Sequence, residues 1–344
     1  MNFAIYNFPS ETKEIISRLK SRDWIAHAFQ TDEFFRPADI SFNVEENNVS
    51  YNLVLDTNIY QFLLNSAKKE AKDLSRDAVG LLVFCQICDI QIDPTFAVYE
   101  KINYQNEKAS EVVSDLALFQ KINNSDPLSL IPYVMGKADT YELGAHAGLD
   151  EENLVKGLTK YERLVEWDSL YLILLACISI SQNGLGHRKQ IEEFFLLSLK
   201  KYRQSFVGII YATLFFSERS LKRMMKFNSN SSREDRKRQL HNMTWDLYIQ
   251  NTFFRKWEDK EPNSEFVYAT ADKAFRDLLQ IGIQVQVAQN PEPLKKLLTP
   301  LDYENICRVW EIDVPDEERV YISKGWTPEY RTQLISDFEE KLLS

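Results

Sequence analysis

Four acidic residues stand out because each occupies a place from which a carboxylate can take part in chemistry. Asp56 and Asp272 each follow a short apolar run, in the segments LVLD and FVYATAD. Glu100 and Asp246 lie in helix-like segments, PTFAVYE and MTWDLYI. Carboxylates that converge repel one another unless cations neutralise them, and oxygen-only ligands suit Mg²⁺ or Mn²⁺. Such ions can activate a water and hold a phosphate, so convergence of these acids predicts metal-dependent phosphodiester chemistry.

The predicted secondary structure explains why these acids are expected to meet. The runs YNLVLD, DIQIDP, FVYATA and IQVQVA predict strands, and helical patterns separate them. Strands that alternate with helices are typical of a parallel α/β sheet. Functional groups in such a sheet gather beyond the carboxyl ends of the strands. We therefore expect Asp56 and Asp272 in one crevice, with Glu100 and Asp246 projecting toward it from the early part of their helices.

Each acid also has a purely structural interpretation. Aspartate is a favoured N-cap, so Asp56 and Asp272 taken singly could equally be helix caps. Glu100 and Asp246 taken singly would more often be solvated helix residues. The joint pattern of four acids favours the functional interpretation.

The four segments occur in the order found in PIN domains, and the chain resembles this family of metal-dependent ribonucleases. The resemblance rests on VLDTN at Asp56, PTFAVYE at Glu100, MTWDLYI at Asp246 and ATADKAF at Asp272. It implies a PIN-like α/β fold whose central parallel sheet is flanked by helices. It also implies that the four acids bind Mg²⁺ or Mn²⁺ and that RNA is hydrolysed there.

The same resemblance implies supporting roles and a biological setting. Asn58 and Thr270 would order the site through hydrogen bonds. The preference for RNA over DNA is implied by the substrates of the family alone. No residue of this sequence can be named as one that recognises the 2′-hydroxyl of RNA. By analogy, a toxin or phage-defence effector suits the size and layout of the chain. Control by a regulatory protein partner and homo-oligomerisation are both compatible with that setting.

The length of the chain departs from a compact PIN domain. We expect a nuclease core in two blocks that is interrupted by a large helical insertion. The expected parts are an N-terminal extension (1–50), the core (51–104 and 241–290), the insertion (105–240) and a C-terminal extension (291–344).

The insertion leaves the third acid open. Glu258, Asp259 or Asp139 could take the place of Asp246. Asp93 lies beside a strand end and could also reach the site.

A basic segment precedes the Asp246 helix and could lead a nucleic-acid strand toward the acids. The residues expected to contact phosphates are Lys222, Arg223, Lys226, Arg233, Arg236, Lys237 and Arg238. Such a cluster neutralises phosphates with an affinity that weakens as salt rises. A solvated helix face, or a patch for an acidic partner, explains the same residues equally well.

Two other functions fit parts of the sequence. Arg236 and His241 have the R-x4-H spacing of HEPN ribonucleases, in which they would clamp phosphate and act as a base without metal. A non-catalytic binding or scaffold protein that keeps the PIN fold is the alternative from another class, and retention of all four acids argues against it. The sequence has no serine nucleophile elbow, phosphate-binding glycine loop or dinucleotide fingerprint.

The remaining features indicate an ordinary globular protein with a net charge of −10. The apolar run LYLILLACISI is too short to span a membrane and predicts a buried core helix. The first residues lack a secretory signal pattern, so we expect a cytoplasmic location and no membrane association. Cys85 and Cys88 form a C-x-x-C that raises zinc or redox chemistry, but their apolar surroundings predict two core residues.

Overall fold

The computed structural model of the chain describes residues 6–27, 34–68, 72–103, 107–146, 148, 152–153, 156, 165–217 and 226–344. In chain order its elements are α1 (Thr12–Arg22), β1 (Ile25–Ala26), α2 (Pro37–Asn47), β2 (Ser50–Leu55), α3 (Thr57–Ala67), α4 (Asp73–Ile87), β3 (Gln91–Asp93), α5 (Thr95–Asn103), α6 (Ala109–Asn123), α7 (Pro127–Val134), α8 (Val165–Ser181), α9 (His187–Lys201), α10 (Phe206–Phe215), α11 (Arg233–Glu258), β4 (Ser264–Ala269), α12 (Lys273–Ala288), α13 (Pro300–Trp310) and α14 (Pro328–Leu343). Two short 3-10 helices span Glu292–Lys296 and Asp316–Glu318.

A small mixed sheet positions the strand-end acids. Its strand order is β1-β4-β2-β3. The central strand β2 pairs in parallel with β4 on one side and with β3 on the other, while β1 pairs antiparallel with β4. The predicted α/β class and the strands within YNLVLD, DIQIDP and FVYATA are confirmed. The expected parallel pairing holds for β2, β3 and β4, but the sheet is mixed because β1, from the N-terminal segment, joins it in the opposite direction.

The fourth predicted strand, IQVQVA, is also wrong because these residues lie within α12. A strand would place Ile283, Val285 and Val287 on one face. Ile283 and Val285 are buried, whereas 63% of Val287 is exposed. The apolar face of α12 recurs at helical spacing, so packing of that face outweighs the β preference of its branched side chains.

Contacts divide the chain into two compact units with boundaries that differ from those expected. The first unit comprises residues 1–162 and 256–276, and the second comprises 163–255 and 277–344. The whole sheet lies in the first unit, together with the expected N-terminal extension and helices α6 and α7. Asp246 lies in the second unit, apart from the block to which the sequence assigned it.

The N-terminal segment is built into the first unit by a buried ion-pair cluster. Asp77 on α4 is 3% exposed and accepts hydrogen bonds from Arg18 at 2.8 Å and from Arg22 at 2.5 Å, both on α1. Ile15 and Leu19 of the same helix are buried in the core. Charge and apolar packing therefore both hold α1 in the first unit, while the expected boundary at residue 50 stays a prediction.

The two cysteines of the C-x-x-C are core residues, as predicted. Cys85 and Cys88 are 0% and 1% exposed, respectively, and both belong to the apolar core of the first unit. Burial raises the pKa of the Cys88 thiol to about 12, so the thiol is protonated at neutral pH.

The second unit is helical in its described residues and centres on α8. The run from Leu170 to Ile180 lies within this helix and is buried, which confirms the predicted core helix. An ion pair of 3.0 Å between Asp168 and Arg331 joins α8 to α14. Among the described residues, no helix is long and apolar enough to cross a membrane.

Candidate carboxylate site

Asp56 lies at the carboxyl end of the central strand and is fixed by four hydrogen bonds. Its backbone N–H donates to the Ala269 carbonyl at 2.9 Å, so the pairing with β4 extends one residue past β2. Its carboxylate caps α3 by accepting from the Thr57 N–H at 2.9 Å. The second carboxylate oxygen accepts from the Thr270 hydroxyl at 2.6 Å and from the Asn58 amide at 2.9 Å. Asn58 and Thr270 therefore make hydrogen bonds of the kind that the resemblance implied for them.

The environment of Asp56 opposes its charge. The residue is only 9% exposed, and burial raises the pKa of its carboxyl above the ordinary value. Hydrogen bonds from Thr270, Asn58 and the Thr57 N–H lower that pKa, and the neighbouring charge of Asp272 raises it again. Asp56 is thus a buried carboxylate with a second acid close enough to repel it.

Asp272 shares the Thr270 hydroxyl with Asp56. The backbone N–H of Asp272 donates to Thr270 Oγ1 at 3.0 Å, while that hydroxyl donates to Asp56. One carboxylate oxygen of Asp272 accepts from the N–H groups of Ala274 and Phe275 at 3.0 and 3.1 Å, so the residue caps α12. The predicted capping role is correct for both strand-end aspartates, and the two caps lie side by side.

Glu100 reaches the same end of the sheet from α5. The Thr57 hydroxyl donates a short hydrogen bond to Glu100 Oε2, and Thr57 directly follows Asp56. Thr57 is therefore a site residue that was not predicted from the sequence. Its position within VLDTN could have indicated this role, because a hydroxyl in the first turn of α3 can donate a hydrogen bond to a neighbouring element that packs against that turn.

Asp93 ends β3 and lies at the same sheet edge. In the parallel register Asp93 pairs with Val54, two residues before Asp56. One of its carboxylate oxygens accepts from the Thr95 N–H at 2.9 Å, at the beginning of α5. The other lies 3.8 Å from Lys256 Nζ.

Asp246 has a different local environment. It lies in the second compact unit, where its carboxylate accepts from Lys226 Nζ at 2.9 Å. A partner of this kind neutralises the acid locally. The expectation that Asp246 joins the other three acids stays a prediction.

The alternatives for the third acid lie in the first unit. Asp139 is 93% exposed and pairs with Arg76 at 3.1 Å, as expected of a surface residue. Glu258 and Asp259 are exposed, at the end of α11 and in the residues that follow it.

Several members of the predicted basic cluster are engaged with neighbouring groups. Lys222 and Arg223 lie outside the described residues. Lys226 pairs with Asp246, and Arg238 pairs with Asp235 at 2.6 Å.

The same cluster includes two further residues with neighbours on the C-terminal helix and one exposed arginine. Lys237 lies 3.8 Å from Glu339 on α14. Arg233 is exposed at the beginning of α11. The Arg236 guanidinium donates to carbonyl oxygens at the C-terminal end of α14, those of Leu342, Leu343 and Ser344.

The engagement of Arg236 weakens the R-x4-H interpretation. Five residues along an α-helix correspond to about 140° of rotation, so Arg236 and His241 point to different faces of α11. The His241 ring contacts the edges of Trp167 and Tyr171, with ring centroids 6.1 and 5.4 Å away. Arg236 thus acts as a cap for the end of α14, and it projects from a different face of α11 than His241 does.

The donor set at the strand ends fits a hard divalent cation. Among the described residues, no three acidic, histidine or cysteine side chains converge closely enough to form a metal site unaided. Mg²⁺ is usually bound through one or two carboxylates, with waters and substrate phosphates as its other ligands. Asp56 and Asp272 supply such a pair, and the repulsion between them is the energy that a cation would relieve.

The chemistry available at this edge is therefore oxygen ligation of a cation, with Glu100 close by to accept a proton. The buried, hydrogen-bonded Asp56 is the fixed point of the arrangement, and the Thr270 hydroxyl connects it to Asp272. Comparisons of the chain with protein-family models, with curated proteins and with solved structures give no match.

Proposed function

We propose that the chain is a metal-dependent nuclease that hydrolyses RNA phosphodiester bonds at the site formed by Asp56, Glu100 and Asp272. The observation that carries the proposal is the burial of Asp56 beside Asp272 at the carboxyl end of the central strand. A helix cap needs one acceptor oxygen and can stay exposed to solvent. Burying an anion beside another anion costs free energy that a purely structural role does not require.

The protein side chains divide the work between binding and proton transfer. Bound Mg²⁺ or Mn²⁺ would supply charge neutralisation for the phosphate and lower the pKa of the attacking water. Asp56 and Asp272 bind the cation, and Thr270 and Asn58 hold Asp56 in the orientation that this requires. Glu100, fixed by the Thr57 hydroxyl, accepts a proton from the water.

The resemblance to PIN domains supports RNA as the substrate and adds Asp246 to the proposed set. In the structure Asp246 pairs with Lys226. Its contribution is tested separately, because Asp246→Asn should reduce cleavage if the acid takes part. If the acid serves only its local ion pair, the same substitution should leave cleavage unchanged.

The experiment measures cleavage of labelled single-stranded RNA, and of DNA with the same base sequence, in Mn²⁺, Mg²⁺ or EDTA. Wild type is compared with Asp56→Asn and with the control Asp126→Asn. Asp126 also caps a helix, accepting from the Leu128 N–H at 3.1 Å on α7, and an asparagine keeps the capping oxygen at both positions. We expect metal-dependent cleavage of RNA that falls about a hundredfold or more in Asp56→Asn, because metal ligation contributes several kcal/mol. Asp126→Asn should retain full activity.

Two other outcomes separate the alternatives. Cleavage that survives both EDTA and Asp56→Asn would contradict the carboxylate mechanism. If no cleavage is seen, melting with Mn²⁺ decides between a nuclease that needs an activator and a scaffold. Only an intact site gains stability from Mn²⁺ by mass action, and Asp56→Asn should abolish that gain.

A further inference from the structure

We propose that Lys256 binds a phosphate group of the nucleic-acid strand beside the carboxylate site. The inference rests on the proposed nuclease function, because it assigns the protein group that holds the substrate there. Asp93 is the partner that keeps the Lys256 ammonium in place when no strand is bound.

The position of Lys256 follows from the sheet. The residue lies in the last turn of α11, in the part of that helix that belongs to the first unit. Its Nζ is 3.8 Å from Asp93 Oδ2. Asp93 ends β3, which runs parallel to β2, so the ammonium lies at the sheet edge where Asp56 follows β2. Parallel strands bring their functional groups to this edge.

The contacts of Lys256 orient its side chain but hold it weakly. The ammonium lies 5.0 Å from the centroid of the Phe96 ring, a cation–π contact that keeps the side chain close to the beginning of α5. Its pair with Asp93 exceeds hydrogen-bond length, and the two side chains are 41% and 29% exposed. Partly exposed pairs of this kind are weak, so a phosphate oxygen can replace the Asp93 carboxylate at little cost.

A comparison with another lysine shows what a structural pairing looks like in the same unit. Lys101 is 4% exposed, and its ammonium contacts Gln61 at 3.2 Å, Glu107 at 3.0 Å and Asp115 at 3.1 Å. That set of partners uses all three ammonium donors within the protein. Within the described residues Lys256, by contrast, has one loose carboxylate partner and an aromatic face.

The chemistry of the site creates the need for such a cation. Asp56, Glu100 and Asp272 present negative charge to a polyanion, and a bound metal compensates only at the phosphate that it contacts. The phosphates on either side need a protein cation near the same edge. Lys256 has the correct charge, and its place beside Asp93 puts it at that edge.

The test measures binding of a fluorescein-labelled single-stranded RNA by anisotropy, with Ca²⁺ replacing Mg²⁺, over salt concentrations from about 50 to about 200 mM. The variants are Lys256→Gln and the control Lys260→Gln. Lys260 also pairs with a carboxylate, Glu265, and also lies near an aromatic face, at 5.9 Å from the Trp257 ring centroid. It differs in lying near the beginning of β4, at the amino end of the parallel strands.

The expected result is a change in salt dependence as well as in affinity. Loss of one phosphate contact on a single strand reduces the slope of log affinity against log salt by about 0.7 and weakens binding about fivefold at about 0.1 M salt. Lys256→Gln should show both changes, and Lys260→Gln should show neither. A merely structural role for Lys256 would alter thermal stability without changing the slope.

Each contrary outcome has a definite meaning. Wild-type affinity and slope in folded Lys256→Gln would overturn this inference, while metal-dependent cleavage by wild type would leave the nuclease proposal standing. If Lys256→Gln does not fold, Asp93→Asn decides. That variant keeps an acceptor oxygen for the Thr95 N–H but removes the carboxylate that pairs with Lys256. The affinity of the variant for RNA should therefore rise, and an unchanged or lower affinity would overturn the inference. Absence of both RNA binding and cleavage in wild type would reject the two proposals together.

Discussion

The Thr270 hydroxyl connects the two strand-end aspartates, and its removal gives the sharpest test of how the site is held together. Thr270→Val keeps the shape of the side chain and deletes only the polar atom. It removes the 2.6 Å bond to Asp56 and leaves the Asp272 N–H without its acceptor at 3.0 Å. Thr270 itself is 1% exposed, so water cannot easily take the place of the hydroxyl.

The expected loss of stability follows from these two contacts. A hydrogen bond to a charged group contributes about 1.5–3 kcal/mol, and an N–H left without an acceptor costs about 1–3 kcal/mol. Asp272 is half-buried, so water can partly satisfy its N–H and the second cost lies at the low end. We expect the free energy of unfolding to fall by about 2–4 kcal/mol, which at a urea m-value of about 2 kcal/mol/M lowers the midpoint by about 1–2 M.

The loss should also depend on pH in a definite direction. The Thr270 bond favours the charged form of Asp56 and lowers a pKa that burial raises. Deleting the bond raises this pKa further, so the stabilisation from the bond is complete above the pKa of Asp56 in the variant and is lost as pH falls through the lower wild-type pKa. The difference between wild type and Thr270→Val should be largest at neutral pH and should shrink in acid.

Urea unfolding of both proteins at neutral and acid pH, with Thr12→Val as control, checks this reasoning. Thr12 is 5% exposed in the same compact unit, and its hydroxyl has no hydrogen-bond partner within the part of the chain that the structure describes. Its replacement should leave stability unchanged or slightly higher, because it deletes an unsatisfied polar group. A Thr270→Val protein as stable as Thr12→Val, or one with the same loss of stability at both pH values, would contradict this prediction.

Two further predictions concern the first unit. Lys101→Met should lower the free energy of unfolding by about 3–5 kcal/mol in urea titrations, because it removes the buried cation that pairs with Asp115. Lys68 is an exposed partner of the same aspartate, so the control Lys68→Met should cost less than about 1 kcal/mol. Equal losses in the two variants would show that the buried ion pairs of Lys101 stabilise the protein no more than the exposed pair of Lys68 does. Cys85 and Cys88 should resist alkylation in the native protein at neutral pH and react on unfolding, since burial raises the pKa of both thiols. Rapid labelling of either thiol without denaturant, detected by mass spectrometry, would contradict this prediction.

The strand ends were predictable because their signals are local. A short apolar run closed by aspartate indicates both a strand and a cap, which is enough to predict Asp56 and Asp272 at one edge of a parallel sheet. The supporting contacts of Asn58 and Thr270 were expected only from the family resemblance of those segments. The alternation of apolar and polar residues in IQVQVA was misleading. The pattern fits a strand, but these residues form the last turns of α12 and pack through one face of that helix.

Long-range packing decided what the sequence could not indicate. The local sequence around Thr57 does not predict the hydrogen bond from its hydroxyl to Glu100, because the two residues belong to different helices. The inclusion of the N-terminal segment in the first unit depends on Asp77, whose arginine partners lie 55 and 59 positions away. Asp246 falls in the second unit for the same reason, since the boundary between units depends on contacts made by the whole chain.

The parallel pairing of β2 with β4 has a consequence for the order of events during synthesis. Asp56 and Thr270 are separated by 214 positions, so the ribosome adds the second about 10–40 s after the first at about 5–20 residues per second. Throughout that interval the central strand of the nascent chain has one unpaired side, and the three groups joined through the Thr270 hydroxyl cannot assemble. A nascent or prematurely terminated chain therefore lacks the complete site, and the proposed nuclease acquires its active geometry only when translation of its first compact unit is finished.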